Sequence, residues 1–133
     1  MTEEEEEEGM LLELGGLVPY WLPSPGRPDP VPNDLHLPQL MLLTAPNAAG
    51  KSTLMRAALA AALLGNAGLL VPCARAKLPR YNLFALRTAS HDLPAEDRSA
   101  FAQEMADVAA LLRDAGPRSL AMVDEVGKGT SSR

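Results

Sequence analysis

Hydrophobic positions in this chain fall into two kinds of run. Leu40-Met41-Leu42-Leu43 is short, continuous and ends at a turn, which predicts a strand buried on both faces. Leu120-Ala121-Met122-Val123 reads the same way, and further strands are predicted at Gly68 to Val71 and Leu83 to Arg87. Between these runs the apolar residues recur at helical spacing. From Ser52 to Leu64 the residues Leu54, Ala58, Leu59, Ala62 and Leu63 mark one helical face, with Gly65 and Asn66 as stop signals. A second helix is predicted from Asp97 or Ser99 to Gly116-Pro117, with the stripe Phe101, Met105, Val108, Leu111 and Leu112. Strands alternating with helices predict an α/β fold: a partial, parallel-rich sheet with flanking helices.

The first third of the chain is patterned differently. Glu3 to Glu8 form a self-repelling tract, and residues 1–18 are expected to be an acidic, disordered tail. Residues 19–38 hold seven prolines, which block helices and remove ladder donors, so an extended connector is expected there. That leaves 39–133 as the folded domain. Tyr20 and Trp21, side by side in the connector, are expected to cover part of the core. No internal repeat is visible.

Charge changes the picture in one respect. The net charge is -5, but six of the 17 acids lie in the Glu tract, and the other 11 acids face 12 bases. The folded part is near neutral and offers no general basic surface for gripping nucleic acid. The single cysteine, Cys73, has no intramolecular partner and sits in an apolar stretch, which reads as core packing in a reducing compartment. No stretch reaches the roughly 18 apolar residues of a membrane span, and the acidic start lacks the basic region of a leader. The expectation is a soluble intracellular protein.

The segment Thr44-Ala45-Pro46-Asn47-Ala48-Ala49-Gly50-Lys51-Ser52-Thr53 carries the most specific chemistry. A phosphate-binding loop needs a strand, a compact turn with inward-facing amides, then Gly-Lys-Ser/Thr opening a helix. Backbone N–H groups of the turn and the helix N-terminus attract phosphate, Lys51 reaches the terminal phosphate oxygens, and Ser52 ligates Mg²⁺. Gly-Lys-Ser alone is weak evidence; its place between an apolar run and an Ala/Leu helix gives it weight. Ala45 stands where the motif has its first glycine. If that position needs positive φ, its Cβ costs about 1–2 kcal/mol; if φ is negative, alanine is harmless.

Asp124-Glu125 follows four apolar residues, about 70 residues beyond the loop. In a phosphate-loop hydrolase Asp124 would hold Mg²⁺ through water and Glu125 would orient or deprotonate the attacking water. An acidic pair after a strand is common by itself; in partnership with the loop it becomes specific. Glu125 favours hydrolysis over kinase chemistry.

Together the strings Val31-Pro32-Asn33-Asp34, Thr44 to Thr53, Ser99-Ala100-Phe101-Ala102-Gln103-Glu104-Met105 and Asp124-Glu125-Val126-Gly127-Lys128-Gly129-Thr130-Ser131 resemble, in order and spacing, the ATPase domain of the MutS family of DNA mismatch-repair proteins. The resemblance covers about residues 31–133. It implies an ABC-like P-loop NTPase with ATP and Mg²⁺ as cofactors. The implied nucleotide-binding set is Val31, Pro46, Asn47, Ala48, Ala49, Gly50, Lys51, Ser52 and Thr53, with Ser52 and Asp124 on the metal and Lys51 and Glu125 in catalysis. Ser99 resembles the signature serine that reaches a partner subunit's phosphate; without the family, it reads equally well as a helix N-cap. Gly127 to Ser132 resembles a loop at the dimer interface.

The resemblance further implies a homo- or heterodimer of MutS-like subunits, in which ATP gates a clamp on mismatched duplex DNA through domains outside this chain. For a eukaryotic chain it implies the nucleus, with an organelle left open. Several positions depart from the family pattern: Ala45 and Ala49 replace glycines, Ala48 a methionine, Ala100 a threonine, and Pro30 the aromatic that stacks on adenine. The chain also stops at Arg133, ahead of the family's histidine-bearing loop and helical dimerisation region, so a partial domain is expected. The alternative reading is a nucleotide-binding or interaction fragment without turnover; another ABC-like DNA-maintenance ATPase is the third.

Overall fold

The computed structural model describes residues 11–46, 50–88 and 97–124, and two compact units divide the chain at Tyr81 and Asn82. The Glu tract, His91, Asn47 to Ala49 and everything from Glu125 onward lie outside the described residues, as do the side chains of 97–100.

The first unit is built on three strands, β1 (Leu12–Leu17), β2 (Asn33–Leu37) and β3 (Arg75–Lys77), with β1 in the centre of an antiparallel sheet. Over 12–17 this corrects the expectation of a disordered tail; residues 1–10 of that tail lie outside the described residues. Leu12, Leu14 and Leu17 are the largest fully buried side chains among the described residues, while Glu13 between them is exposed. The inward face of β1 thus supplies the apolar burial that a Glu-rich beginning seemed to deny. The alternation is broken at Gly15-Gly16, where β1 carries one extra residue against β2 and the register shifts between Leu14 and Leu17. The Asp34 side chain accepts a 2.8 Å hydrogen bond from the Gly16 N–H at this bulge. β2 fits between Pro32 and Pro38, so five residues of the expected connector form a strand, and turns occupy 20–21 and 25–27. Across this ladder His36 faces Glu13, Nδ1 to Oε1 3.4 Å.

Helix α1 (Lys51–Asn66) packs against β1 with Ala57, Ala58, Ala61 and Ala62, all buried. Of the expected face, Ala58 and Ala62 are buried and Leu54 and Leu59 half-buried, whereas Leu63 is exposed. Alanines allow a closer approach to the sheet, and the leucines flank the contact. The helix ends at Ala67, with Gly68 at φ +77. There Leu69 N–H bonds to Leu64 O at 2.9 Å and Gly68 N–H to Gly65 O at 3.1 Å, a Schellman ending that a left-handed glycine makes possible. Asn66 then anchors the returning chain: its amide donates to Ala62 O at 2.9 Å and Pro79 O at 3.2 Å, and its oxygen accepts from Tyr81 N–H at 2.9 Å.

Two expected strands are absent. Residues 40–43 are irregular and exposed, and 68–71 are turn and coil. Trp21 and Tyr20 meet edge-on with ring centroids 5.1 Å apart, and both are exposed, so they do not cover the core.

The second unit matches its sequence pattern closely. β4 (Leu83–Arg87) and β5 (Ser119–Val123) pair in parallel, joined through α2 (Asp97–Asp114). Hydrogen bonds from Asn82 N–H to Arg118 O and from Asp124 N–H to Arg87 O, both 2.8 Å, extend the ladder at each end. Leu120 and Met122 are buried; Ala121 and Val123 are exposed, so β5 presents one buried face instead of the two expected. Within α2, Phe101, Met105, Val108 and Leu111 are half-buried, whereas Leu112 is exposed. The described residues are therefore α/β, with one antiparallel sheet and one parallel pair where a single parallel-rich sheet was expected.

Candidate nucleotide-binding site

Gly50 opens the candidate site. It caps α1 at φ +89, ψ +19, the left-handed region where an L side chain is strained, and its carbonyl accepts the first helical bond from Leu54 N–H at 2.9 Å. No side chain caps this end of the helix, and its first turn carries no acid. The positive end of the helix dipole and the first amides are thus left without a built-in negative group, which suits an external anion. Lys51 is the first helical residue, followed by Ser52 and the exposed Thr53. The expected Gly-Lys-Ser helix opening is therefore present.

Its surroundings differ from expectation in one respect. Pro46 and the rest of 40–46 are irregular chain, so no strand leads into the turn. Asn47, Ala48 and Ala49 lie outside the described residues. Val31, in the loop between β1 and β2, is 77% exposed, and its carbonyl accepts a 3.0 Å bond from the Asn33 side chain.

In the second unit, Asp124 is half-buried at the carboxyl end of β5, beside the carboxyl end of β4. In parallel sheets this is the end where ligands bind, because the strand ends and the following loops form the crevice there. Glu125 is outside the described residues. Ser99 lies in the first turn of α2, its side chain undescribed. Lys51 and Ser52 belong to the first unit and Asp124 and Ser99 to the second.

One group escaped the sequence reading. Arg87, the last residue of β4, holds its Nε 3.5 Å from the Asp107 carboxylate on α2. Gln103, one turn earlier, donates to the same carboxylate at 2.9 Å. The Gln103/Asp107 spacing of four was a readable signal; the pairing with Arg87 requires the fold. Burial pushes the Cys73 thiol and the Tyr81 phenol above their usual pKa values. A raised thiol pKa lowers the thiolate fraction, which agrees with a packing role for Cys73.

Among the described residues no cluster of three or more His, Cys, Asp or Glu side chains could hold a metal by itself. No described helix is long and apolar enough to cross a membrane.

Residues 41–133 match the family model for MutS domain V. Over 122 residues, 91% of the chain, it is 40% identical to the mitochondrial DNA mismatch repair protein MSH1 of Arabidopsis thaliana. It is 46% identical over 103 residues, 77% of the chain, to DNA mismatch repair protein MutS of Thermus thermophilus. To the MutS of Granulibacter bethesdensis it is 44% identical over 111 residues, 80% of the chain. The matched region spans only 11–13% of each of these relatives. With the family model matching most of the chain, the conclusion is plain: it belongs to the MutS family of DNA mismatch-repair proteins.

Proposed function

We propose that this chain supplies the ATP-binding and ATP-hydrolysing region of a MutS-like mismatch-repair protein, coupling ATP to the clamping of mismatched duplex DNA in a dimeric assembly. The observation that carries the reading is the opening of α1: a left-handed Gly50, then Lys51 and Ser52, on a helix end with no side-chain cap and no acid in its first turn. That arrangement fits a polyphosphate, whose oxygens take the bonds a capping side chain would otherwise provide.

In this reading Pro46 shapes the turn, the amides from Asn47 through Gly50 line the phosphates, and Lys51 binds the terminal phosphate oxygens. Thr53 extends the polar opening of the helix, and Val31 lies beside the base. Ser52 and Asp124 would hold Mg²⁺, the first directly and the second through water. Bound there, Mg²⁺ would supply charge neutralisation at the phosphates. Glu125 would orient or deprotonate the attacking water. Ser99 would reach the phosphate of a partner subunit from the start of α2. DNA contact belongs to other parts of the assembly, because the chain outside its Glu tract is near neutral. For a eukaryotic chain, the mitochondrial name of the Arabidopsis relative favours an organelle over the nucleus.

A second reading, nucleotide binding without turnover, draws on residues 40–43: exposed irregular chain carries the loop less rigidly than a buried strand would. One experiment separates the two. A fluorescent ATP analogue is titrated with Mg²⁺ into the chain and into Lys51→Ala, and phosphate release is followed in parallel. Binding that Lys51→Ala abolishes, together with phosphate release, is the expected result. Binding without release would select the second reading, and no binding by the unsubstituted chain would overturn both.

A further inference from the structure

A single residue ties three parts of the second unit together. Arg87 accepts the Asp124 N–H on its carbonyl at 2.8 Å and donates from its guanidinium to Thr88 O at 2.9 Å. Its Nε lies 3.5 Å from Asp107 Oδ2, midway along α2, while Gln103 donates to the other oxygen of that carboxylate at 2.9 Å. The same residue thus holds the acidic strand end through its backbone and the helix through its side chain.

That Nε is buried and makes no hydrogen bond of good geometry, so its compensation is the ionic attraction of Asp107. A buried donor without a partner is costly, which biases α2 toward the rotation that presents Asp107 to Arg87. Positions 99, 103 and 107 recur every four residues, the spacing of one helical face. The tie to β4 is at position 107, which Gln103 braces from within the helix, and fixing 107 also fixes where position 99 comes round. A fully exposed ion pair would contribute little; here both side chains are partly exposed, but the Arg87 Nε itself is shielded from water, so the pair bears on orientation.

We infer that Arg87 is a positioning residue: through Asp107 it sets the rotation of α2 on the β4–β5 pair, and with it the placement of position 99 relative to Asp124. The naming of those two positions as functional rests on the nucleotide-binding reading above; the restraint on the helix does not.

The test uses the full chain with Cys73→Ala and spin labels at Ala102→Cys and Ala121→Cys, both exposed positions of the same unit. The unsubstituted network should give one narrow label-to-label distance distribution. Arg87→Met and Asp107→Asn should each lose the narrow component, and the two together should be no broader than either alone. A narrow distribution in Arg87→Met with native circular dichroism overturns the proposal, as does a broad distribution in the unsubstituted network. Should Arg87→Met fail to fold, Asp107→Asn decides in the same way, because its side chain is partly exposed and tolerates the change. The ATP analogue is titrated into the same samples. Failure of the unlabelled chain to bind it would refute the nucleotide reading and leave the distances to judge Arg87 independently.

Discussion

At position 50 the backbone adopts φ +89 in open surroundings: a Cβ built there would meet no heavy atom within 4 Å. The cost of any side chain is therefore conformational and not steric. Gly50→Ala should lower the unfolding free energy by about 1–2 kcal/mol, and Gly50→Asn by less, because asparagine visits the left-handed region more readily. Chemical denaturation measures both. Equal losses, or none, would show that the helix does not open through a left-handed residue. A glycine at the helix entrance was legible in the sequence, from Gly-Lys-Ser before an Ala/Leu run, but its left-handed φ in open surroundings was not. The pairing of Arg87 with Asp107 was not, because nothing local to either residue announces a partner on another element.

At the scale of elements, legibility followed the strength of the local pattern. β4, α2 and β5 lie where the periodicity placed them, in a unit whose strands pair next to one another across a single helix. Residues 40–43 and 68–71 failed as strands because a four-residue apolar run carries no periodicity of its own, and only a neighbouring strand can make it one. β1 was missed for the opposite reason. Its alternation over Leu12, Glu13 and Leu14 is real but stops at a glycine pair, and the preceding glutamates dominate the composition. The structure makes this strand the centre of the first unit, which yields a sharp contrast between neighbours. Leu14 is only 2% exposed, so Leu14→Ala should cost about 2–5 kcal/mol through lost burial and the cavity left behind. Glu13→Ala, on the outer face, should stay within about 0.5 kcal/mol. Equal midpoints in urea would return residues 11–17 to the status of a dispensable tail.

For the whole molecule, the balance of surface chemistry matters more than any one bond. Apart from the Glu tract the charges nearly cancel, so little long-range repulsion keeps copies apart. Against this stand large apolar side chains in contact with water: Leu40 is 79% exposed, Leu42 86% and Leu70 95%. Scattered single leucines are ordinary on a surface, but Leu40, Met41, Leu42 and Leu43 are contiguous and lie in irregular chain able to pair with another strand. An exposed, irregular apolar segment on a near-neutral chain favours association between copies through residues 40–43. We predict a concentration-dependent rise in apparent mass by sedimentation velocity, strongest at the ionic strength where the Glu tracts are screened. Leu42→Lys, which adds charge at a side chain 86% exposed, should shift the distribution to monomer and leave the melting temperature unchanged. Leu70→Lys, outside that segment, should have a smaller effect. A monodisperse monomer of the unsubstituted chain at all concentrations would refute the association. Equal effects of the two lysines would mean that general hydrophobicity, and not the 40–43 segment, drives it.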